Sequence, residues 1–478
     1  MSSPSPRLPY ADLLQLKRWN MFPICNGRKQ ITRPDALRAG FNPEETRVLE
    51  GMTNAGFKAK GRTPTFPARS NKIGDAGWFS QMPPRPMKFL PLLFALGTAA
   101  LAQQPAGYTI PTIDLSAETQ RQVIVDQEKG QYLGHPTTVL LEDGKTMLIV
   151  YPKGHGRGAI MYKRSTDGGL TWSERLPTPK SWETSLEVPT IHRVIDAQGK
   201  KRLILFSGLY PIRMSVSEDD GASWSELKPI GNFGGVVTMA SVIALKEPGQ
   251  YMALFHDDGR FIIGGSQGKV KSAAGDYVSP TAKAWRFWVY QSRSTDGGLT
   301  WSNPIPIASV PGLDLCEPGA VRSPDGKEIA VLLRENTHKH NSYLITTNDE
   351  GLTWSEPREL PAALTGDRHV AKYAPDGRLF ISFRDTTRES PTKGDWVAWV
   401  GRYEDIIGGR EGQYRVRLLD NQKNAKNSFS DCAYPGVELL PDGTVVTTTY
   451  GHWRENEAPY ITSVRLKLEE VDARAPKR

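Results

Sequence analysis

Ionisable side chains recur at fixed distances from a short turn that the sequence repeats six times. Eight or nine positions before the turns, the chain has His135, Glu187, Met239–Ala240, Glu317, Arg368 and Tyr434. Eight to ten positions after the turns, it has Tyr151, His256, Arg334, Arg384 and His452. Strand interiors are usually rich in Val and Ile, so a polar set at one spacing predicts a shared site. Guanidinium groups bind carboxylates bidentately, and Glu, Tyr and His transfer protons. The site therefore has the groups to bind an acidic ligand and to catalyse proton transfer.

Two repeated motifs indicate the elements that must position these residues. The turns lie at 142–144, 196–199, 247–249, 324–326, 375–377 and 441–443. The motif Ser/Thr-x-Asp-x-Gly-x-x-Trp occurs at 165–172, 217–224, 294–301 and 347–354. Short runs rich in Val, Ile, Leu, Thr and Tyr separate the turns and are typical of strands. Six units of about four strands predict an all-β chain folded as a six-bladed β-propeller.

In three of the four units that have the motif, the repeated turn and the motif that follows it are almost equally spaced. A propeller explains this equal spacing, whereas a β-sandwich would not. In a propeller the innermost strands start at the same end of the central channel. Residues at one offset before the turns are therefore expected to meet at that end. Because the ring must close, a strand from about 108–134 is expected to pair with the last blade.

The Ser/Thr-x-Asp-x-Gly-x-x-Trp motif is the Asp-box, and the chain resembles the sialidase (neuraminidase) superfamily. The resemblance covers nearly all of 108–468 and implies the sialidase-like propeller. It also implies a chemistry, in which three arginines bind the substrate carboxylate, a Tyr activated by a Glu is the nucleophile, and an Asp is the acid/base. This chemistry is the recognised exception to glycoside hydrolysis by two carboxylates.

Three segments carry these roles onto this sequence. The segment CEPGAVRSPDGKEIAVLLREN resembles the part of the family that holds the activating Glu and an Arg, here Glu317 and Arg334. SDCAYPGVELLPDGTVVTTTY resembles the part with the nucleophile, here Tyr434. LTGDRHVAKYAPDGRL offers Arg368 as a further carboxylate-binding arginine, with Arg384 in reserve.

The first blade departs from the family pattern. The sequence reads LGHP where the family has Arg-Ile-Pro, so His135 stands near the missing arginine. The loop that normally carries the acid/base Asp is 151–158, and it contains no carboxylate. We expect His155 to serve as the proton donor, because its unperturbed pKa suits neutral pH. Lys153 or Arg157 would restore the missing positive charge.

These residues predict a glycoside hydrolase resembling exo-α-sialidases, which cleaves terminal sialic acid or a related 2-keto acid sugar from glycans. Glu187 of the second blade is expected to line the substrate site. Two alternatives stay open. One is a catalytically inert propeller that binds acidic glycans or proteins, and the other is a hydrolase of a different acidic sugar. The expected partner is a glycan, the expected state is a monomer, and no cofactor or metal site is predicted.

The N-terminal sequence predicts export. Residues 1–86 hold 14 Lys and Arg against 6 Asp and Glu, whereas the whole chain has a net charge of +8. The remainder is therefore nearly neutral, which argues against nucleic-acid binding. From Met87 to Ala102 the sequence has a basic residue, then an apolar stretch, and then small residues. This order is typical of a signal peptide. We expect 1–86 to be a non-native or disordered upstream segment, 87–102 a cleaved signal peptide, and 103–478 a secreted or periplasmic propeller without a membrane span.

Two cysteines fall in the propeller, Cys316 beside Glu317 and Cys432 two residues before Tyr434. Adjacent residues of a strand point to opposite faces, whereas residues two apart share a face. The side chains of Cys316 and Cys432 should therefore point in different directions, which predicts two buried free thiols rather than a disulfide.

Overall fold

The computed structural model describes residues 104–263, 266–267, 287–422 and 431–476. Within these ranges, six sheets of three to five strands succeed one another along the chain and form the blades of a propeller. The predicted all-β, six-bladed fold is confirmed. The predictions for 1–86 and 87–102 lie outside the described residues. None of the helices in the described ranges is long and apolar enough to cross a membrane.

The strands follow the order of the blades, after two N-terminal strands, β1 (Thr112–Asp114) and β2 (Gln122–Asp126). Blade 1 contains β3 (Thr137–Leu140), β4 (Met147–Pro152) and β5 (Ile160–Ser165). Blade 2 contains β6 (Thr190–Ile195), β7 (Lys201–Ser207), β8 (Arg213–Ser217) and β9 (Lys228–Pro229). Blade 3 contains β10 (Val236–Ala244), β11 (Tyr251–Asp257), β14 (Trp288–Ser294) and β15 (Ile305–Ala308), with the hairpin β12 (Ile262–Ile263) and β13 (Ser266–Gln267) between β11 and β14 in the chain.

The last three blades continue the pattern. Blade 4 contains β16 (Leu315–Arg322), β17 (Ile329–Glu335), β18 (Tyr343–Thr347) and β19 (Arg358–Glu359). Blade 5 contains β20 (Gly366–Tyr373), β21 (Leu379–Asp385), β22 (Trp396–Gly401) and β23 (Tyr414–Leu419). Blade 6 contains β24 (Gly436–Leu439), β25 (Val445–Gly451) and β26 (Tyr460–Leu466). Short helices are α1 (Tyr403–Gly408), α2 (Leu468–Asp472) and single 3-10 turns at Thr119–Arg121, Lys180–Thr184 and Ala362–Leu364.

The N-terminal strands complete the last two blades. Strand β2 pairs antiparallel with β26, so the predicted closure of the ring on the C-terminal blade is confirmed. Strand β1 pairs parallel with β23 and adds a fifth strand to blade 5. Because both strands precede blade 1 in the chain, the two ends of the propeller are held together by backbone hydrogen bonds.

The repeated turn occurs in all six blades, whereas the Asp-box occurs in blades 1 to 4. The repeated turns join the innermost strand to the second strand, as 324–326 joins β16 to β17. The Asp-boxes follow the third strand. In the box after β14, Asp296 accepts hydrogen bonds from the backbone N–H groups of Leu299 at 3.1 Å and Thr300 at 2.9 Å. Trp301 is buried against its neighbours. The boxes therefore stabilise outer turns, far along the strand from the inner ends.

The apolar core lies between neighbouring blades. Strand β22 reads WVAWVG and is buried on both faces. Trp396 packs with residues of blade 6 that include Val437, whereas Trp399 packs with residues of blade 4 that include Leu332. A strand covered on both sides reads as a continuous apolar run rather than an alternation.

Both cysteines of the propeller are buried and free, as predicted. Burial raises the pKa of the Cys316 and Cys432 thiols well above the usual value. Both side chains are therefore protonated packing groups and not nucleophiles.

Candidate active site

A cavity of about 210 Å³ opens beside the inner strand ends. Its lining consists of His135, His155, Gly156, Arg157, Glu187, Val188, Leu209, Val237, Arg260 and Tyr434. Half of this lining belongs to the site expected from the sequence. Because pockets for drug-sized ligands span about 300–1,000 Å³, this cavity has the scale of a single sugar residue.

The backbone is strained at four positions at or near the starts of innermost strands. The φ angles of His135, Glu317, Arg368 and Ala433 are +52°, +49°, +56° and +57°. Register shifts accompany two of them, between Cys316 and Gly319 and between Asp367 and Val370. A bulge of this kind re-aims a side chain. Each such residue costs about 1–3 kcal/mol, a strain typical of functional sites.

Tyr434 and Glu317 are in direct contact. The Tyr434 hydroxyl donates a hydrogen bond to Glu317 Oε1. Arg334 donates from Nη1 to the same Glu317 oxygen at 2.7 Å and lies 3.4 Å from the Tyr434 hydroxyl. Burial, and then the charge of Glu317, raise the pKa of Tyr434 well above its usual value. The tyrosine is therefore neutral at rest, with its hydroxyl proton directed at the Glu317 carboxylate.

Two of the expected carboxylate-binding arginines are already paired. Asp367 is fully buried and accepts from Arg384 Nε at 2.9 Å and Nη2 at 2.5 Å. Arg334 Nε lies 2.9 Å from Asp367, with its N–H misaligned, so that contact is an ion pair rather than a hydrogen bond. Although burial opposes it, the two guanidinium groups hold the pKa of Asp367 well below its usual value. The site thus contains its own carboxylate between two arginines.

Arg368 differs from both neighbours. Its side chain is buried, and none of the ion pairs among the described residues includes it. Its Nη1 has no hydrogen-bond partner there. Burial lowers the pKa of Arg368, and Glu317 and Tyr434 partly offset that effect. Since an uncompensated buried charge costs several kcal/mol, Arg368 is the group most in need of an anionic ligand.

His135, which precedes the first strand of blade 1, is neutral. Burial and the neighbouring His155 depress its pKa well below the usual value. Its Nδ1 accepts the N–H of Gly156 at 3.2 Å, which places the ring proton on Nε2, 3.2 Å from the hydroxyl of Tyr450. The His135 ring lies 4.5 Å from that of Tyr434. His135 therefore connects the loop 151–158 to Tyr434 but brings no positive charge.

The three candidates in the loop 151–158 are placed differently. His155 and Arg157 line the cavity, and the His155 side chain is 65% exposed. Lys153 does not line it and pairs with Glu128 at 2.9 Å. Of the two residues expected to restore positive charge, the structure brings only Arg157 to the site.

Glu187 lies in the cavity wall as a buried carboxyl group. Its Oε1 accepts the N–H of Val188 at 3.0 Å and its Oε2 accepts that of Val237 at 3.4 Å. Burial raises the pKa of Glu187, against the effect of these two donors. The group is held rigidly beside the space for a ligand.

Three residues of the site were not predicted from the sequence. Asp367 and Asp431 lie one and three positions before residues that it selected, and Tyr450 lies within a quoted segment. Asp431 accepts hydrogen bonds from the hydroxyls of Tyr132 at 2.9 Å and Tyr450 at 3.2 Å. For Asp367 and Asp431, the sequence signal was an acidic residue close to a predicted site residue, Arg368 and Tyr434 respectively. Within the described ranges, no group of three or more His, Cys, Asp and Glu is arranged to hold a metal ion.

The comparisons with known proteins agree with this architecture. Residues 207–418 match the family described as BNR repeat-like domain. A sequence comparison with curated proteins gives no match. A protein of unknown function from Dyadobacter fermentans DSM 18053 aligns with a TM-score of 0.54 at 14% identity, over 73% of this chain and 98% of its own.

Solved sialidases align less closely. The NanB sialidase of Streptococcus pneumoniae has 14% identity and a TM-score of 0.49, over 73% of this chain and 71% of its own. A leech intramolecular trans-sialidase has 16% identity and a TM-score of 0.46, over 74% of this chain and 70% of its own. At these identities structural likeness speaks for the fold alone, so the chemistry depends on the residues of this chain.

Proposed function

We propose that this six-bladed propeller, whose residues 207–418 match the BNR repeat-like domain family, is a retaining glycoside hydrolase of acidic glycans. Its substrate would carry a terminal N-acetylneuraminic acid or a related 2-keto acid sugar. The signal-peptide pattern at 87–102 supports a secreted or periplasmic place of action.

The observation that carries this proposal is the contact of Tyr434 with Glu317 near Arg368, which has no ion-pair partner among the described residues. A 2-keto acid sugar has a carboxylate on its anomeric carbon. A carboxylate nucleophile would meet repulsion there, whereas a neutral tyrosine would not. Arg368 would bind the carboxylate and place the anomeric carbon against the Tyr434 hydroxyl.

The reaction would proceed in two displacements. In the first, the Tyr434 oxygen bonds to the anomeric carbon, its proton passes to Glu317, and the leaving alcohol departs with a proton from an acid of the site. In the second, water attacks the same carbon, Tyr434 leaves and regains its proton from Glu317. Two inversions retain the anomeric configuration.

The charges of the site support a monoanionic substrate. Around Tyr434, the three guanidinium groups of Arg334, Arg368 and Arg384 outnumber the two carboxylates of Glu317 and Asp367. Arg157 and Arg260 also line the cavity, and Arg260 is paired there with Asp258 at 2.8 Å. A neutral sugar would leave the charge of Arg368 uncompensated.

A panel of 4-methylumbelliferyl glycosides tests the proposal. The purified protein should release fluorophore from the glycoside of N-acetylneuraminic acid or of a 3-deoxy-2-keto acid sugar. The neutral galactoside should not react, because it offers no anion to Arg368. A glucuronide distinguishes a preference for any acidic sugar from one for the 2-keto acids. Absence of release from every acidic glycoside would contradict the proposal.

An inert propeller that binds acidic glycans is the second candidate. The pairing of Arg334 and Arg384 with Asp367 favours it, since a site already neutralised in this way needs fewer charges from a substrate. The absence of a carboxylate in the loop 151–158 favours it as well. Binding of acidic glycans without turnover of the panel would support this candidate.

A further inference from the structure

A partly buried polar cluster adjoins Tyr434 on the side of the loop 151–158. Its centre is Asp431, which receives both Tyr132 contacts, at 2.9 and 3.0 Å, and the Tyr450 contact. His452 Nε2 lies 3.3 Å from Asp431, and His155 Nε2 lies 3.5 Å from it. Four side chains thus converge on one carboxylate three residues before Tyr434.

We propose that His155 and Asp431 form the acid–base pair of the site, with His155 exchanging the proton and Asp431 positioning its imidazole. This inference rests on the proposed hydrolase function and deepens it, because it replaces the missing acid/base Asp by a histidine and a carboxylate from different blades. His155 lines the cavity and Asp431 lies behind it.

The geometry supports this division of roles. Contacts from Tyr132, His155 and His452 favour the ionised form of Asp431, although partial burial opposes it, so its pKa lies well below the usual value. Asp431 therefore stays a carboxylate while a neighbouring imidazole gains or loses a proton. The Nε2 of His155 faces Asp431, which leaves Nδ1 for the leaving oxygen. His155 is also exposed enough to exchange protons with water between the two displacements.

The other groups around this pair do not replace it. His135, 4.7 Å from the His155 ring, is held neutral and uses both nitrogens in hydrogen bonds. Tyr132 and Tyr450 have pKa values raised by burial and stay protonated. His452 contacts Asp431 but does not line the cavity. The charges of Arg384 and Asp431 both reach the His135 ring, where Arg384 lowers the pKa and Asp431 raises it.

In the first displacement, the bond from the anomeric carbon to the glycan oxygen breaks, and the His155 proton passes to that oxygen. The bond to Tyr434 forms as its own proton passes to Glu317. In the second displacement, neutral His155 takes a proton from the attacking water. Atoms and charges then balance over one turnover, with water as the only co-reactant.

The dependence on the leaving group tests the role of His155. With a glycan or alkyl leaving group, the His155→Gln variant should lose about 10²-fold or more in kcat/KM, the range of general acid catalysis. With a dinitrophenyl glycoside, whose leaving group needs no proton, the loss in the first displacement should be several-fold at most. Equal losses for both leaving groups, or none, would overturn the assignment.

The role of Asp431 is tested by the pH profile of the Asp431→Asn variant. Removal of the carboxylate removes an attraction that favours the imidazolium, so the basic limb of the kcat/KM profile should move to lower pH. Asp325→Asn, on an exposed turn, is the matched control and should keep the profile of the unmutated protein. An unshifted basic limb in Asp431→Asn would refute the positioning role.

Three further outcomes are decisive. If Asp431→Asn does not fold, His155→Gln decides by its leaving-group dependence, since His155 is an exposed loop side chain. If the unmutated protein hydrolyses its substrate while both variants behave like it, this inference fails and the proposed function stands. If the unmutated protein hydrolyses no acidic glycoside, both are rejected.

Discussion

The Tyr434→Phe variant is expected to lose at least about 10³-fold in kcat on any substrate that the unmutated protein hydrolyses, as for removal of other covalent nucleophiles. The exchange deletes one oxygen atom, the atom that bonds to the anomeric carbon. KM should change little by comparison, because the ring and its contacts with His135 remain. Steady-state kinetics on the reactive 4-methylumbelliferyl glycoside measure this effect.

Tyr373→Phe is the matched control for that loss. Tyr373 donates its hydroxyl to the backbone oxygen of Arg322, away from the cavity, so its activity should stay within about twofold. A Tyr434→Phe variant that retains more than a tenth of the activity would show that another group forms the covalent bond, or that water attacks directly.

The Arg368→Met variant is expected to lose about 10²- to 10³-fold in kcat/KM and none of its stability. Two charge-assisted hydrogen bonds to a substrate carboxylate at about 1.5–3 kcal/mol each account for a loss of this size. The protein itself gives Arg368 no ion-pair partner among the described residues, so an apolar replacement of similar length removes a buried charge without leaving another unpaired. Kinetics and thermal unfolding of the same preparation measure both parts.

Arg384→Met provides the contrast. Arg384 donates two hydrogen bonds to the fully buried Asp367, so its removal leaves that carboxylate with fewer partners. The free energy of unfolding should fall by about 3–5 kcal/mol, the usual cost of breaking a buried pair. If Arg368→Met is destabilised as much as Arg384→Met, Arg368 has a structural role and the carboxylate-binding role is wrong.

The fold could be predicted from the sequence because its information repeats. The six turns recur along the chain, once in each blade. In the four Asp-boxes, the Asp accepts hydrogen bonds from the turn and the Gly permits its backbone conformation. These local features predict the blades without any knowledge of contacts between distant residues. Spacing from the same turns identified Glu317 and Tyr434, which lie 117 residues apart in sequence and are hydrogen-bonded in the structure. The closing strand was predictable in the same way, since a ring requires one.

The details of the site could not be predicted, because they depend on backbone conformations that no motif encodes. Glu317 and Arg368 lie at positive φ within bulges, so the side chains next to them are re-aimed as well. Asp367 therefore contacts Arg334 and Arg384, which the sequence analysis had predicted to bind the substrate carboxylate. From the sequence, Lys153 and Arg157 were both candidates to bind the substrate. In the structure, Lys153 is paired with Glu128 of the N-terminal segment instead.

Asp431 illustrates a second limit. It belongs to the segment before β24, whereas His155 belongs to blade 1, and only ring closure brings them together. The loop 151–158 contains no carboxylate, so its sequence alone gives no sign of an acid–base pair that is divided between the first and last blades. Residues beside the closure are therefore a useful place to search when a propeller lacks an expected catalytic group.

The most direct measurement of the central claim is covalent trapping of Tyr434. A fluorinated glycosyl fluoride of the sugar identified by the glycoside panel slows the second displacement and accumulates the intermediate. Peptide mass spectrometry of the trapped protein should then find the glycosyl mass on the peptide that contains Tyr434, and the Tyr434→Phe variant should give no such adduct. Continued turnover of the probe with no adduct, or an adduct on another residue, would contradict a retaining mechanism through Tyr434.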